Sequence, residues 1–226
     1  MNFKLFFHQI AYALLTRKCK SLETLGTGDQ WTILPDLCSN SFVVSAGAGT
    51  DISFELALLK RFGCTVVLLD PSTPGLRCYE SLNPTPPRLH YLPFGLASSA
   101  GKRLLYPPDE NADTTSWTIA GDSKGQQIEF LDLTTILHRF QRDSIDLLKI
   151  DIEGFEYEVL DAMLNLGVYP RQVCVEFHQG KLFQNRTRLD RWRLIFKLLT
   201  AGYSLMHHRS LDHLFVRGKP LIKQKH

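Results

Sequence analysis

Residues 42–70, FVVSAGAGTDISFELALLKRFGCTVVLLD, decide the fold. Phe42-Val43-Val44-Ser45-Ala46 is a short apolar run that ends in Gly47-Ala48-Gly49. From Asp51 to Phe62, apolar residues recur at helical spacing: Ile52, Leu56 and Leu59 in one row, Phe54, Leu58 and Phe62 in another. Thr50 or Asp51 can cap the start of that helix, and Gly63 stops it. Thr65 to Leu69 is wholly apolar and rich in β-branched residues, as a strand buried on both faces requires. It closes at Asp70-Pro71, where proline cannot extend a ladder. Strand, glycine turn, helix and strand make one βαβ unit.

The alternation continues outward. Arg88 to Leu92 reads as a third strand, followed by Pro93-Phe94-Gly95-Leu96. The stretch from Ala97 to Gly125 lacks a helical period and is too long for a bare connection, so a hairpin or a substrate-side insertion is expected. Ile128 to Leu131 and a short helix around Thr134 to Phe140 lead to a fourth strand, Ile145 to Ile150, ending in Asp151-Ile152-Glu153-Gly154. A helix over Phe155 to Leu166 should turn Phe155, Val159, Leu160, Met163 and Leu164 inward and Glu156, Glu158 and Asp161 outward. Val173 to Phe177 is a fifth strand, and Leu189, Trp192, Phe196 and Leu199 mark the apolar stripe of a further helix that Gly202 ends. Tyr203 to Met206 and His213 to Val216 form a closing antiparallel pair. Strands alternating with helices predict a mostly parallel sheet with helices on both faces.

Composition narrows the class. A chain of 226 residues suits one domain with its own core. No run of about 18 apolar residues exists, so no spanning helix is expected. Met1 to Leu15 is apolar but broken by Lys4, His8 and Gln9, which fits an amphipathic helix docked on the domain better than a signal peptide. The five cysteines are odd in number and scattered without C-x-x-C, which points to reduced thiols and a cytoplasmic setting. Residues 181–226 hold eleven Lys and Arg against two acids, while residues 1–180 hold fifteen against twenty-one, so the net +3 conceals a basic C-terminal fifth. A solvated helix face explains such a run, as would a phosphate, glycan or membrane partner. Nothing speaks to oligomeric state.

Chemistry should gather beyond the carboxyl ends of the strands, where an open sheet reverses its strand order. Three ends carry unusual residues: Gly47-Ala48-Gly49, Asp70, and Asp151 with Glu153. Asp70, 21 residues past Gly49, stands where a carboxylate accepts ribose hydroxyls. A dinucleotide fingerprint would need glycine at position 52, where the chain has Ile52, so nicotinamide and flavin cofactors are disfavoured. No G-x-x-x-x-G-K-[ST] is present, which excludes a P-loop nucleotidase.

VVSAGAGTDISFELALLKRFGCTVVLLDP (43–71), LLKIDIEGFEYEVL (147–160) and VCVEFH (173–178) together resemble the FkbM family of S-adenosylmethionine-dependent methyltransferases. The resemblance spans Trp31 to Val216, and its most specific block is K-I-D-I-E-G-x-E at 149–156. It implies an α/β fold of the Rossmann-like class I methyltransferase type: a mostly parallel seven-stranded sheet with a C-terminal antiparallel pair. The corresponding division is an N-terminal helical segment (1–30), the methyltransferase domain (31–217) and a basic tail (218–226). By position, Gly47, Ala48 and Gly49 would face the cofactor's methionine and ribose, Asp70 the ribose, and Phe94, Gly95 and Leu96 the adenine. Asp51 is read as a helix cap.

The implied reaction is O-methylation of a hydroxyl on a small metabolite or glycan, with S-adenosylmethionine as cofactor. A hydroxyl is a weak nucleophile, so a group taking its proton should help by ~10²–10⁴-fold. Asp151, Glu153 and His178 lie at the right strand ends for that role. The same residue types suit metal coordination, but mixed clusters recur without metals and none is expected. A nucleic-acid methyltransferase would explain the basic C-terminal stretch. Base methylation, however, is normally served by an Asn/Asp-Pro-Pro-aromatic segment where this chain has Asp151-Ile152-Glu153-Gly154, and an acidic rim repels phosphates. A non-catalytic cofactor-binding relative is the third reading. His207, His208 and His213 read as packing along an edge pair, Trp31 as a docking anchor, Trp192 as part of its helix's buried stripe, and Trp117 as a possible stacking residue in the insertion.

Overall fold

The computed structural model describes residues 10–19, 21–106, 125–180 and 183–218. In chain order the elements are α1 (residues 10–15), β1 (Glu23–Leu25), β2 (Trp31–Ile33), β3 (Phe42–Ala46), α2 (Ser53–Phe62), β4 (Thr65–Leu69), α3 (Thr73–Glu80), β5 (Leu89–Leu92), β6 (Gly95–Leu96), β7 (Gly101–Leu105), β8 (Gln126–Leu131), α4 (Leu133–Arg139), β9 (Leu147–Ile150), α5 (Glu156–Asn165), β10 (Gln172–Glu176), α6 (Arg188–Thr200), β11 (Tyr203–Arg209) and β12 (Asp212–Arg217).

Seven strands form the main sheet in the order β5-β4-β3-β9-β10-β12-β11. β3, β4, β5, β9 and β10 pair in parallel, and β12 runs antiparallel between β10 and β11. The chain steps outward from β3 to β5, then returns to lay β9 against the other side of β3. The reversal therefore falls between β3 and β9, and Gly47 and Asp151 follow these two strands. This is the mostly parallel sheet with a C-terminal antiparallel pair that the class I methyltransferase resemblance implied.

Side chains alternate across each strand, and both faces are covered. Phe42, Val44 and Ala46 meet Leu133 and Ile136 of α4, Tyr157, Leu160 and Met163 of α5, and Leu194, Ile195 and Leu198 of α6. Val43, Val66 and Leu68 meet Phe54 and Leu58 of α2 and Trp31 and Ile33 of β2. Burial on both faces is why these strands are continuous apolar runs. Gly63 ends α2 in the left-handed conformation, φ 64°, with its amide donating to the Leu59 carbonyl.

Four features depart from the sequence reading. The described part of the N-terminal segment is not helical throughout: residues 10–15 are helical, and β1 pairs with β2 in a two-stranded ribbon. The helix α3 was not foreseen, since Pro74 and Gly75 obscure it; Ser72 caps it by accepting from the Gly75 amide at 3.1 Å. Glu156, expected outward, is fully buried. Finally, α6 buries Arg191, Leu194, Ile195 and Leu198 while Leu189 and Phe196 are exposed. Trp192 is half-buried there, its ring 4.7 Å from that of Tyr12 on α1.

The insertion after β5 forms a second sheet, β6-β8-β7, in which β7 and β8 are an antiparallel hairpin. Trp117 lies outside the described residues. Among the described residues no helix is long and apolar enough to cross a membrane.

Candidate active site at the sheet's switch point

A cleft of about 350 Å³ opens beyond the carboxyl ends of β3, β4, β9 and β10. Its glycine side is closely fitted. Gly47 has φ 88°, its amide donates to the Leu69 carbonyl at 2.9 Å, and a Cβ there would sit 1.8 Å from the Asp151 carbonyl oxygen. Gly49 is different: φ is 52°, but a Cβ would meet no atom of the described residues within 4 Å, because the residue borders the open cleft.

Asp70 is buried, and its carboxylate ties the loops after β3 and β4 together. Its Oδ2 accepts from the amides of Ala48 (2.7 Å) and Gly49 (2.9 Å), and its Oδ1 from the Ser72 amide (2.7 Å). The position is the one expected for a ribose-binding acid, and three of its roughly four acceptor sites hold backbone.

Lys149 sits beneath the same loop, 2% exposed. Its Nζ donates to the Gly47 carbonyl, lies 3.9 Å from Asp151 Oδ2 and stands 5.3 Å from the Trp31 ring. One buried cation thus links the glycine turn to the acidic strand end. Nearby, Ser45 donates to the buried Glu55 at 2.5 Å, and burial raises the Glu55 carboxyl above its ordinary range.

The opposite wall gathers the acid/base groups. His178 follows β10, and its Nε2 lies 3.2 Å from Glu153 Oε2, 3.7 Å from Asp151 Oδ1 and 4.0 Å from Glu176 Oε1. Behind the ring, Glu156 Oε1 is 3.4 Å from Nδ1. Glu156 is itself anchored by the amides of His178 (2.6 Å) and Gly154 (2.7 Å), which explains why this helix-start acid is buried rather than exposed. Glu153 has φ 55°, a left-handed backbone that is costly for a side-chain-bearing residue. Burial alone would lower the His178 pKa, but the carboxylates of Glu156, Glu153 and Glu176 outweigh it and lift it to about 9. Burial, then the Asp151 carboxylate, raises Glu176 to about 7.

The third wall is apolar: Leu96, Leu105, Phe130 and Phe155. The Phe130 and Phe155 rings stack at 5.3 Å, and the Arg103 guanidinium covers both at 5.3 and 5.6 Å while pairing with Glu158 at 2.6 Å.

Of the residues expected here, Gly47, Ala48, Gly49, Asp70, Gly95, Leu96, Asp151, Glu153 and His178 all line the cleft. Phe94 does not. It packs on the main core, with the Arg139 guanidinium 5.9 Å from its ring. Leu105 and Phe130 were missed, since they reach the cleft from a hairpin with no motif. Asp29 was missed because the β1–β2 ribbon was not anticipated. Asp51, read as a helix cap, is not the N-cap of α2: that position is Ile52, which has no side-chain cap, and Asp51, one residue earlier, accepts instead from the Ser53 amide and the Asp29 amide, each at 2.7 Å.

A family model, the methyltransferase FkbM domain, matches residues 37–205. The chain belongs to the FkbM methyltransferase family. The family makes it a methyltransferase and implies S-adenosylmethionine as methyl donor. Among solved structures it is similar to the Methanococcus jannaschii fibrillarin pre-rRNA processing protein (8% identity, 88% of this chain and 84% of that one, TM-score 0.48). It is also similar to a chain of a fibrillarin/Nop5p complex (14% identity, 80% and 72%, TM-score 0.46). A third is an O-methyltransferase family protein from Burkholderia thailandensis (10% identity, 82% and 54%, TM-score 0.42). No curated protein sequence matches the chain.

The cleft of this FkbM domain suits the implied donor. Its volume lies in the range of small-molecule sites, with an apolar wall for a ring, open space over Gly49, and carboxylates for a cationic group.

Proposed function

We propose that this FkbM methyltransferase is an O-methyltransferase acting on a hydroxyl of a small metabolite or glycan. The convergence of Asp151, Glu153 and His178 on one wall carries the reading, with the imidazole 3.2 Å from Glu153 and 3.7 Å from Asp151. Gly47, Ala48, Gly49 and Asp70 would hold the methionine and ribose end of S-adenosylmethionine, and Gly95 and Leu96 its adenine. When bound, that cofactor supplies an already activated methyl on a sulfonium.

The protein's own work is then to align the acceptor oxygen, exclude water and receive one proton. Glu153 and His178 are a short acid/base pair on the wall of the cleft, so a proton leaving a hydroxyl can be taken by the carboxylate and shared with the imidazole. Asp151 faces both the imidazole and Lys149, which fixes its carboxylate between the two loops. Phe130 and Phe155 give the wall a surface suited to the apolar face of a ring. The density of carboxylates opposes a phosphate backbone and supports a small acceptor over a nucleic acid.

A screen of tritiated methyl transfer from S-adenosylmethionine into extract fractions tests this. Label is expected in the small-molecule or glycan fraction as an alkali-stable O-methyl group. Label in a nuclease-sensitive fraction would overturn the acceptor class. Glu153→Gln should lower turnover by ~10²–10⁴-fold if it receives the proton.

A further inference from the structure

We propose that Asp151, Glu176 and His178 form a divalent-cation site on the wall of the cleft, where the cation holds the oxygen of the methyl acceptor; this deepens the methyltransferase reading and rests on it. Each residue offers one ligand atom, and the three atoms lie within 4.8 Å of one another, as ligands around one ion must. They project from the ends of β9 and β10, adjacent parallel strands in register, so the site stands on rigid backbone.

The buried carboxylate behind the histidine ring is a second observation. His178 is nine-tenths buried, and among the described residues its Nδ1, the nitrogen turned away from the proposed site, makes no hydrogen bond of good geometry. A fully buried carboxylate, Glu156, sits 3.4 Å behind that nitrogen and is held by two backbone amides. The ring is therefore oriented with Nε2 toward the acids, the arrangement in which metal-ligating histidines are backed by a carboxylate. Charge points the same way. Asp151, Glu153 and Glu176 crowd one imidazole, and the nearby cation Lys149 already donates to the Gly47 carbonyl.

Two carboxylates and one imidazole suit Mg²⁺ or Mn²⁺ better than a thiolate-seeking ion, and no cysteine lines the cleft among the described residues. Three protein ligands leave open positions for oxygen, so the acceptor class that fits is one with two neighbouring oxygens, such as a vicinal diol of a sugar or a hydroxy acid. With Nε2 given to the cation, the imidazole no longer shares the acceptor's proton, and Glu153, 3.2 Å from that nitrogen, receives it alone.

The test uses the full chain after chelator treatment, with Mn²⁺ binding followed by electron paramagnetic resonance. S-adenosylhomocysteine binding is followed separately by calorimetry. Wild type should bind one Mn²⁺ per chain, and Glu176→Gln and His178→Gln should each weaken it by roughly 10–100-fold or more while S-adenosylhomocysteine binding is kept. Wild type that binds S-adenosylhomocysteine but no Mn²⁺ overturns the cation site and leaves the methyltransferase reading standing. Mn²⁺ binding unchanged in both variants overturns this assignment of ligands. Wild type that binds no S-adenosylhomocysteine overturns the reading on which the site rests. The retained nucleoside binding also shows that a variant is folded.

Discussion

Glu153 holds a left-handed backbone, φ 55°, two residues beyond Asp151, and so turns its carboxylate onto His178. Asp151 and Glu153 were legible in the sequence because acids interrupt the end of a buried strand. Glu156 was not, since an acid in a helix's first turn ordinarily faces solvent beside the helix dipole. Here two amides and an imidazole satisfy it instead. His213 is the opposite kind of histidine. It is buried, accepts from the Tyr12 hydroxyl at Nε2 (2.7 Å) and donates from Nδ1 to the Leu211 carbonyl (2.7 Å), so it is neutral. Burial above all lowers its pKa to about 3. Below its ordinary value of 6.5 the unfolded chain takes up a proton that the folded chain refuses, so the His213 contribution is complete above pH 6.5 and is lost as pH falls toward 3. Urea midpoints measured across this window should fall with acid in wild type and fall less steeply in His213→Gln, which keeps both hydrogen-bonding functions without a titrating ring. Parallel slopes would contradict the assignment.

The glycine turn after β3 is an element in which two residues of one type do different work. Gly47 is a packing constraint, with a Cβ placed 1.8 Å from the Asp151 carbonyl oxygen, whereas Gly49 faces open space. Gly47→Ala should therefore destabilise by about 2–4 kcal/mol, and Gly49→Ala by about 1 kcal/mol from its left-handed backbone alone. Denaturant unfolding of both variants checks this, and equal losses would contradict it. The parallel strands were readable because burial on both faces writes an uninterrupted apolar run. The helix α6 was placed correctly but turned the wrong way. Arg191 occupies its buried face at 4% exposure while Leu189 and Phe196 stand in solvent, so polarity and burial disagree there. The β7–β8 hairpin carries an apolar wall of the cleft, yet its residues are mostly exposed and follow no period, and Leu105 and Phe130 could not be picked out.

At the scale of the whole molecule, strand order places the site. The reversal between β3 and β9 brings Gly47, Asp70, Asp151 and His178, spread over more than half the chain, to one cleft. The sequence foretold that meeting point because parallel strands end on a common edge, but it could not supply the third wall or the ion-like grouping of Asp151 with Glu176 and His178. Charge divides on the same scale: acids concentrate in the cleft, while residues 181–226 carry the basic excess. The measurement that bears most directly on the whole account is calorimetric titration of the full chain with S-adenosylmethionine. One molecule should bind per chain, and Asp70→Ala, which releases the amides of Ala48, Gly49 and Ser72, should abolish the signal. A flat titration of the native chain, or undiminished binding by Asp70→Ala, would contradict it.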